Sequence, residues 1–186
     1  TVTFSGSVAQ SISGTANPSI FSSVVLDNTN GLSLNAPAQV TSSLTLTNGL
    51  LNSTGNLLTL VGSATASGND NSYVFGPLAR TNATGSKDYP VGKGSYRPVS
   101  TNLSGTSPTV QFEVFDTSPV QNWQDPLALI SQVRYWLGTL NSGSVASGSV
   151  TLNYGDDDGV QLGDSLRVAY SPDQSTTAYI SIGGSG

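Results

Sequence analysis

Four aspartates crowd into one short stretch, YGDDDGVQLGDS, where Asp156, Asp157, Asp158 and Asp164 fall within nine residues. Hard cations such as calcium take six to eight oxygen ligands, and closely spaced carboxylates with loop carbonyls supply them. The spacing does not follow an EF-hand, which places acids at alternate positions and closes on a Glu. A solvated acidic hairpin loop, its Asp side chains bonded to their own turn, is the competing reading. Calcium is the one cofactor the chain suggests.

Acid–base chemistry has less to work with. Paired-carboxylate hydrolysis needs one buried acid facing a second across a cleft. Glu113 is the only Glu, and in VQFEVF it alternates with Phe112 and Val114 on what reads as a strand. Its default position is toward solvent. Cys, Met and His are absent, which removes thiolate nucleophiles, imidazole bases and Cys/His zinc sites. The expectation is a protein that is not an enzyme.

Aromatic side chains offer a third chemistry, because flat rings stack on sugar faces. Trp136, inside QVRYWLGTL, reads as a core residue. Trp123, in the polar segment PVQNWQDP, reads as exposed and is the candidate glycan contact. Tyr73, Tyr89, Tyr96 and Tyr154 are the other rings available. Sequons at Asn52, Asn82 and Asn102 are expected by chance in a chain so rich in Asn and Thr.

The elements that hold these residues are strands. Charged residues make up only 9% of the 186 positions while hydrophobic ones reach 36%; globular domains carry about 25% charged residues. The apolar residues recur in short alternating clusters separated by Asn and Gly, as in a packed β protein. SSVVLDNTNGLSL and SSLTLTNGLLN both run Ser-Ser, apolar-x-Leu, Asn, Gly, Leu, with their opening serines 20 residues apart. The triplets Leu32-Ser33-Leu34, Leu44-Thr45-Leu46 and Leu58-Thr59-Leu60 alternate faces as strands do. A strand and turn unit repeating near that length predicts a β-solenoid, a parallel β-helix-like stack whose coils bury Leu and Val against one another. An antiparallel meander would use the same triplets.

Three regions follow. Residues 1–78 are expected as three or four solenoid coils. Residues 79–108, with most of the cations and several Gly and Pro, read as an irregular connection, in which Arg80 and Arg97 are placed to stack on Tyr89 and Tyr96. Residues 109–186 carry longer alternating segments, VQFEVF, QVRYWLGTL, SVTLNY, SLRVAYS and TAYISIG, and predict an antiparallel β-sandwich. DPLALIS is the single helical candidate.

The succession SGSVAQSISG, SLTLTNGLLNSTGNLLTL, YVFGPLART with GSKDYPVGKGSYRPVS, then VRYWLGTL, VTLNYGDDDG and SLRVAYS resembles the repeat units of very large adhesin-like surface proteins exported by type IX secretion. The resemblance spans nearly the whole chain and implies a secreted, extracellular or cell-surface structural component. Members carry an export signal and a sorting domain, and neither is recognisable here, so export and anchoring are implied by the resemblance alone.

Net charge is −5. Residues 1–100 hold four cations against three Asp, net +1, and residues 101–186 hold two Arg against seven Asp and Glu113, net −6. Six cations in all argue against nucleic-acid binding. The apolar runs fall far short of the roughly 20 residues that cross a bilayer, so membrane insertion is not expected. The functional expectation is a structural module of a surface adhesin or extracellular fibre that self-associates head to tail, by strand addition or coil stacking. The segments Thr1 to Val8 and Thr177 to Ile182 are the expected junction. The alternative is a carbohydrate-binding adhesive module with surface glycans as partners.

Overall fold

Every buried aliphatic ladder in the first half of the chain has its origin in the alternation of apolar and polar residues along its strands. In the computed structural model, which describes residues 1–160, 165–173 and 177–184, strands wind into a β-solenoid of about five turns over residues 2–92. β1 (Val2–Ser5) and β2 (Gln10–Ile12) form the first coil, β3 (Ser19–Asp27) and β4 (Leu32–Leu34) the second, and β5 (Ala38–Asn48) and β6 (Leu51–Asn52) the third. β7 (Leu58–Leu60), β8 (Thr65–Ser67) and β9 (Val74–Phe75) make the fourth; β10 (Leu78–Arg80), β11 (Gly85–Tyr89) and β12 (Val91–Lys93) make the fifth.

The coils present three rows of strands. One row is the first half of β3, the first half of β5, β7 and β10, all parallel. A second is β1, the later half of β3, the later half of β5, and β8. The register shift between Phe21 and Ser23 marks the corner between these two rows. The third row is β2, β4, β6, β9 and β12. Alternation then buries one residue in two, and parallel register stacks like on like. Val24, Leu44 and Ala66 align, as do Leu32, Leu51, Val74 and Val91, and Ala38, Leu58 and Leu78. Nearly all of these side chains are buried, and each coil hides its apolar face only because a neighbour covers it.

The 20-residue offset read from the sequence is a true coil offset. Ser23 lies in register with Ser43, whose hydroxyl donates to it at 2.9 Å. The three apolar triplets, however, do not stack. Leu58-Thr59-Leu60 pairs with Ala38-Gln39-Val40, and Leu32-Ser33-Leu34 belongs to the third row. An apolar-x-apolar triplet fits any row equally, so its recurrence carries no row assignment.

The asparagines staple the turns. Asn28, Asn52 and Asn69 each accept the backbone N–H two residues on through Oδ1, at 2.8–2.9 Å, which closes an Asx turn. Asn28 and Asn69 also reach back to the preceding coil: Asn28 Nδ2 donates to Val8 O at 2.8 Å and Asn69 Nδ2 to Leu46 O at 3.0 Å. Asn56 Nδ2 does the same to Leu34 O at 2.9 Å.

The solenoid extends beyond the expected boundary. The segment 79–108, read as an irregular connection, supplies most of the fifth coil, β13 (Ser95–Tyr96) and the start of β14 (Val99–Phe115). Its bulk is packed: Tyr89, Val91 and Val99 are fully buried. β14 then runs antiparallel across the last coil, with Val110, Gln111 and Phe112 on β10 and Val99 to Leu103 on β11. β15 (Tyr135–Leu152) pairs with β14. Contacts such as Ser104 with Ser147 and Thr109 with Ser142 rise along one strand as they fall along the other, so this long pair is antiparallel.

Thr1–Phe115 with Trp136–Asn153 forms one compact unit, and Asp116–Tyr135 with Tyr154–Gly186 a second. The described residues of the second hold a 3₁₀ turn over Asp156–Asp158 and a two-stranded ladder, β16 (Ala169–Tyr170) with β17 (Ile180–Ser181). Leu127, Ile130 and Tyr179 form its small core.

The expected β-sandwich is thus not what the described residues form. QVRYWLGTL and SVTLNY, expected as two strands, merge into the single strand β15 because β14 offers it continuous pairing through the Gly/Ser run between them. The expected helical turn at DPLALIS is instead a turn closed by Leu127 N–H on Gln124 O at 3.0 Å, with Leu127 and Ile130 drawn into the core.

Candidate functional site

The places where this molecule leaves backbone groups without a strand partner are the ends of its sheets. The nine-stranded sheet runs from β1 through β3, β5, β7, β10 and β14 to β11, with β15 joined on β14 and β8 on β5, and the six-stranded sheet runs from β2 to β13. Among the described residues β1 has a strand partner, β3, on one side only, and β2 likewise has β4. Apolar residues lie exposed here: Val2 in β1, Val8 after it, and Ile20 on β3, the last 65% accessible. Thr1 to Val8, one expected junction, therefore contains the outermost strand of the larger sheet. Thr177 to Ile182, the other, lies in the second unit, where Tyr179 is buried and Ile180–Ser181 pairs with Ala169–Tyr170.

At the opposite end stands β15. Gly138 through Thr151 are exposed without interruption. At its start Trp136 is half-buried against the main core and its indole donates to Arg97 O at 3.3 Å. At its end Asn153 Nδ2 donates to Pro98 O at 2.9 Å. Sequence reasoning missed this edge, although the absence of any charge or proline from Tyr135 to Tyr154 was readable.

The acidic stretch is organised around a cation of the chain itself. Asp157 Oδ2 accepts from Arg134 Nη2 at 3.0 Å, and Asp158 Oδ1 from Arg134 Nη1. Asp158 Oδ2 accepts the Gly155 N–H at 2.7 Å, which sets the turn. Arg134 and Asp158 are both almost fully buried, Asp156 is exposed, and Asp164 lies outside the described residues. Among the described residues no three acidic side chains converge on a point that would hold a metal ion. Asp157 and Asp158, two of the carboxylates expected as calcium ligands, are instead engaged with a guanidinium.

The other candidate residues are scattered. Trp123, expected in the open, is half-buried: it bridges to Tyr179 and packs on the cluster of Leu127 and Ile130. The polar residues flanking it gave no sign of that apolar partner. A cavity of ≈ 100 Å³ lies nearby, lined by Ser118, Pro119, Val120, Tyr135 and Tyr179; small-molecule sites are typically several times larger, about 300 Å³ and above. Glu113 is half-buried on β14, and burial raises its pKa above the ordinary value while Lys93 acts the other way. Lys93 itself lies between the rings of Phe75 and Phe115, at 5.3 and 5.2 Å. Tyr73 is buried and stacks on Tyr96 with centroids 6.1 Å apart; Tyr154 is exposed.

The predicted Arg–Tyr stacking exists at Arg80 and Tyr89. The guanidinium lies 5.5 Å from the ring centroid, with Nε donating to Asp88 O at 2.8 Å and Nη1 to Ala64 O at 2.6 Å. Burial lowers the Arg80 pKa, with Tyr89 and Asp88 opposing, and burial pushes the Tyr89 phenol up to about 12 against the pull of Arg80. Phe112 meets Tyr89 edge-on at 4.9 Å. This group ties the fifth coil to β14. Comparison with family models, with curated proteins and with solved structures gives no match.

Proposed function

We propose that this chain is a non-catalytic structural module of a secreted bacterial surface adhesin or extracellular fibre, in which units add head to tail. The observation that carries the reading is the open first coil: among the described residues β1 and β2 each end a sheet with one edge unpaired, and Val2, Val8 and Ile20 lie exposed beside them. Such an edge recruits another strand or coil unless something covers it. The rest of the solenoid fits a mechanical part. Its stability comes from stacked aliphatic residues and from Asn and Ser bonds between coils. Its exterior is hydroxyl and amide with few charges, and the sequence resemblance to exported adhesin-like repeats supports a location outside the cell.

The test is small-angle scattering with size-exclusion chromatography over a concentration series, on the chain and on a variant lacking residues 1–8. Elongated species that grow with concentration and vanish on deletion are expected. A compact monomer at the highest soluble concentration, unaltered by the deletion, defeats head-to-tail addition at this end.

A further inference from the structure

Edge strands in folded proteins are ordinarily guarded by lysine, proline, shortness, a bulge or a covering element. β15 runs 18 residues, YWLGTLNSGSVASGSVTL, with no charged residue and no proline, and among the described residues it pairs with β14 alone. Its two ends return to adjacent residues, Trp136 to Arg97 O and Asn153 to Pro98 O, and Gly143 within it has φ +75°, so this open edge bends with the coil instead of running straight. Gly138 to Thr151 are exposed on it.

What this strand accepts across an edge is visible on its paired side. Ser147 meets Ser104 at 2.9 Å, Ser142 meets Thr109 at 2.9 Å, and Asn141 donates to Gln111 at 3.1 Å. These are the residue types β15 itself carries. Its exposed apolar side chains are Leu140, Val145 and Val150, at 49, 40 and 41% accessibility. They are evenly placed about Val145. A two-fold axis at Val145 in an antiparallel pair sets Val145 opposite itself and Leu140 opposite Val150 of the other chain. Hydrophobic pairs opposite one another stabilise such a ladder, and with no charges present nothing repels. A two-fold contact also closes on itself.

We propose that the open edge of β15 binds the same strand of a second copy of this chain, antiparallel and centred on Val145. The contact does not involve the first coil, and it closes the β15 edge to head-to-tail addition while leaving β1 open.

The absence of cysteine makes the register directly testable. Under mild oxidation the Val145→Cys variant is expected to cross-link to itself. Leu140→Cys and Val150→Cys are each expected to stay monomeric on denaturing gels when alone and to cross-link when mixed. Light scattering should show a dimer that survives deletion of residues 1–8 and dissociates in Val145→Lys. Because residue 145 is exposed, the circular dichroism spectrum and melting curve of that variant should match a monomeric wild type at high dilution. A wild-type monomer at the highest soluble concentration, a dimer indifferent to Val145→Lys, or self-cross-linking by Leu140→Cys, the mark of a parallel register, overturns the proposal. A dimer lost on deleting residues 1–8 but kept in Val145→Lys would locate self-association at the first coil instead.

Discussion

Two glycines with the same backbone conformation separate the cost of a left-handed turn from the cost of crowding between coils. Gly49 has φ +83° and Gly55 has φ +86°. A Cβ built on Gly55 meets nothing within 4 Å, whereas one on Gly49 falls 1.8 Å from Asn28 O in the coil below. Alanine at either position takes on a left-handed penalty of about 1–2 kcal/mol, offset by about 0.4–1 kcal/mol from the stiffer unfolded chain. Gly55→Ala should therefore cost about 1 kcal/mol or less. At Gly49 the two turns must also separate by more than an ångström to restore a normal contact. That shift pulls on Gly49 N–H to Asn71 O and Gly31 N–H to Asn28 O, at 3.0 and 2.8 Å. Overpacking strain of about 1–3 kcal/mol and the weakening of bonds worth about 1 kcal/mol each bring the expected loss to roughly 3–5 kcal/mol. Urea unfolding followed by circular dichroism measures both, as a shift in midpoint at constant slope. If the two variants unfold within about 0.5 kcal/mol of each other, a margin typical of surface changes, the coils are not packed turn on turn as described.

Asn28→Ala removes bonds to Val8 O, Gln10 Oε1 and Asn30 N–H from a buried side chain; a loss of about 1–3 kcal/mol is expected by the same denaturation assay. Tyr89 binds its proton more tightly folded than unfolded, so its contribution is complete below the ordinary phenol pKa of 10 and is lost as pH rises toward about 12. Holding the proton over that span of pH is worth roughly 2–3 kcal/mol, and Tyr89→Phe should flatten the fall in melting temperature between these limits. Arg134→Ala leaves the buried Asp158 carboxylate without its counter-ion, a loss expected at about 3–5 kcal/mol; amide exchange in peptides covering Tyr154 to Gly159 should accelerate sharply while that of β5 stays unchanged.

The coil repeat was legible because strand alternation and Asn-Gly punctuation are local properties, and both survive in the register of Ser23 with Ser43. The end of the solenoid was not. The fifth coil carries Arg80, Lys87, Lys93, Gly and Pro, a composition typical of loops, and it is strand because the fourth coil and β14 pair with it from both sides. β15 was hidden for a related reason: NSGSVASGS has the composition of a linker, and its extension is imposed by pairing with β14. The acidic stretch read as a ligand set because Arg134 stands more than 20 residues away in sequence. Nothing local to the aspartates announces a buried guanidinium. Trp123 was misplaced similarly, since its apolar partner Tyr179 is distant along the chain.

One position in the stack is unlike its neighbours. Parallel register aligns Val40, Leu60 and Arg80, so a cation occupies a rung where an aliphatic residue would serve. Leucine and valine rungs are close to interchangeable, and a chain slipped by one turn would hide almost as much oil-like surface. Arg80 breaks that degeneracy, because its Nη1 finds the Ala64 carbonyl of the fourth coil only when the coils are counted correctly, while Asp88 O and the Tyr89 ring hold it from its own coil. The buried guanidinium acts as an index mark on an otherwise monotonous spiral, and Arg80→Leu should leave the winding intact while admitting slipped conformers, seen as doubled amide resonances.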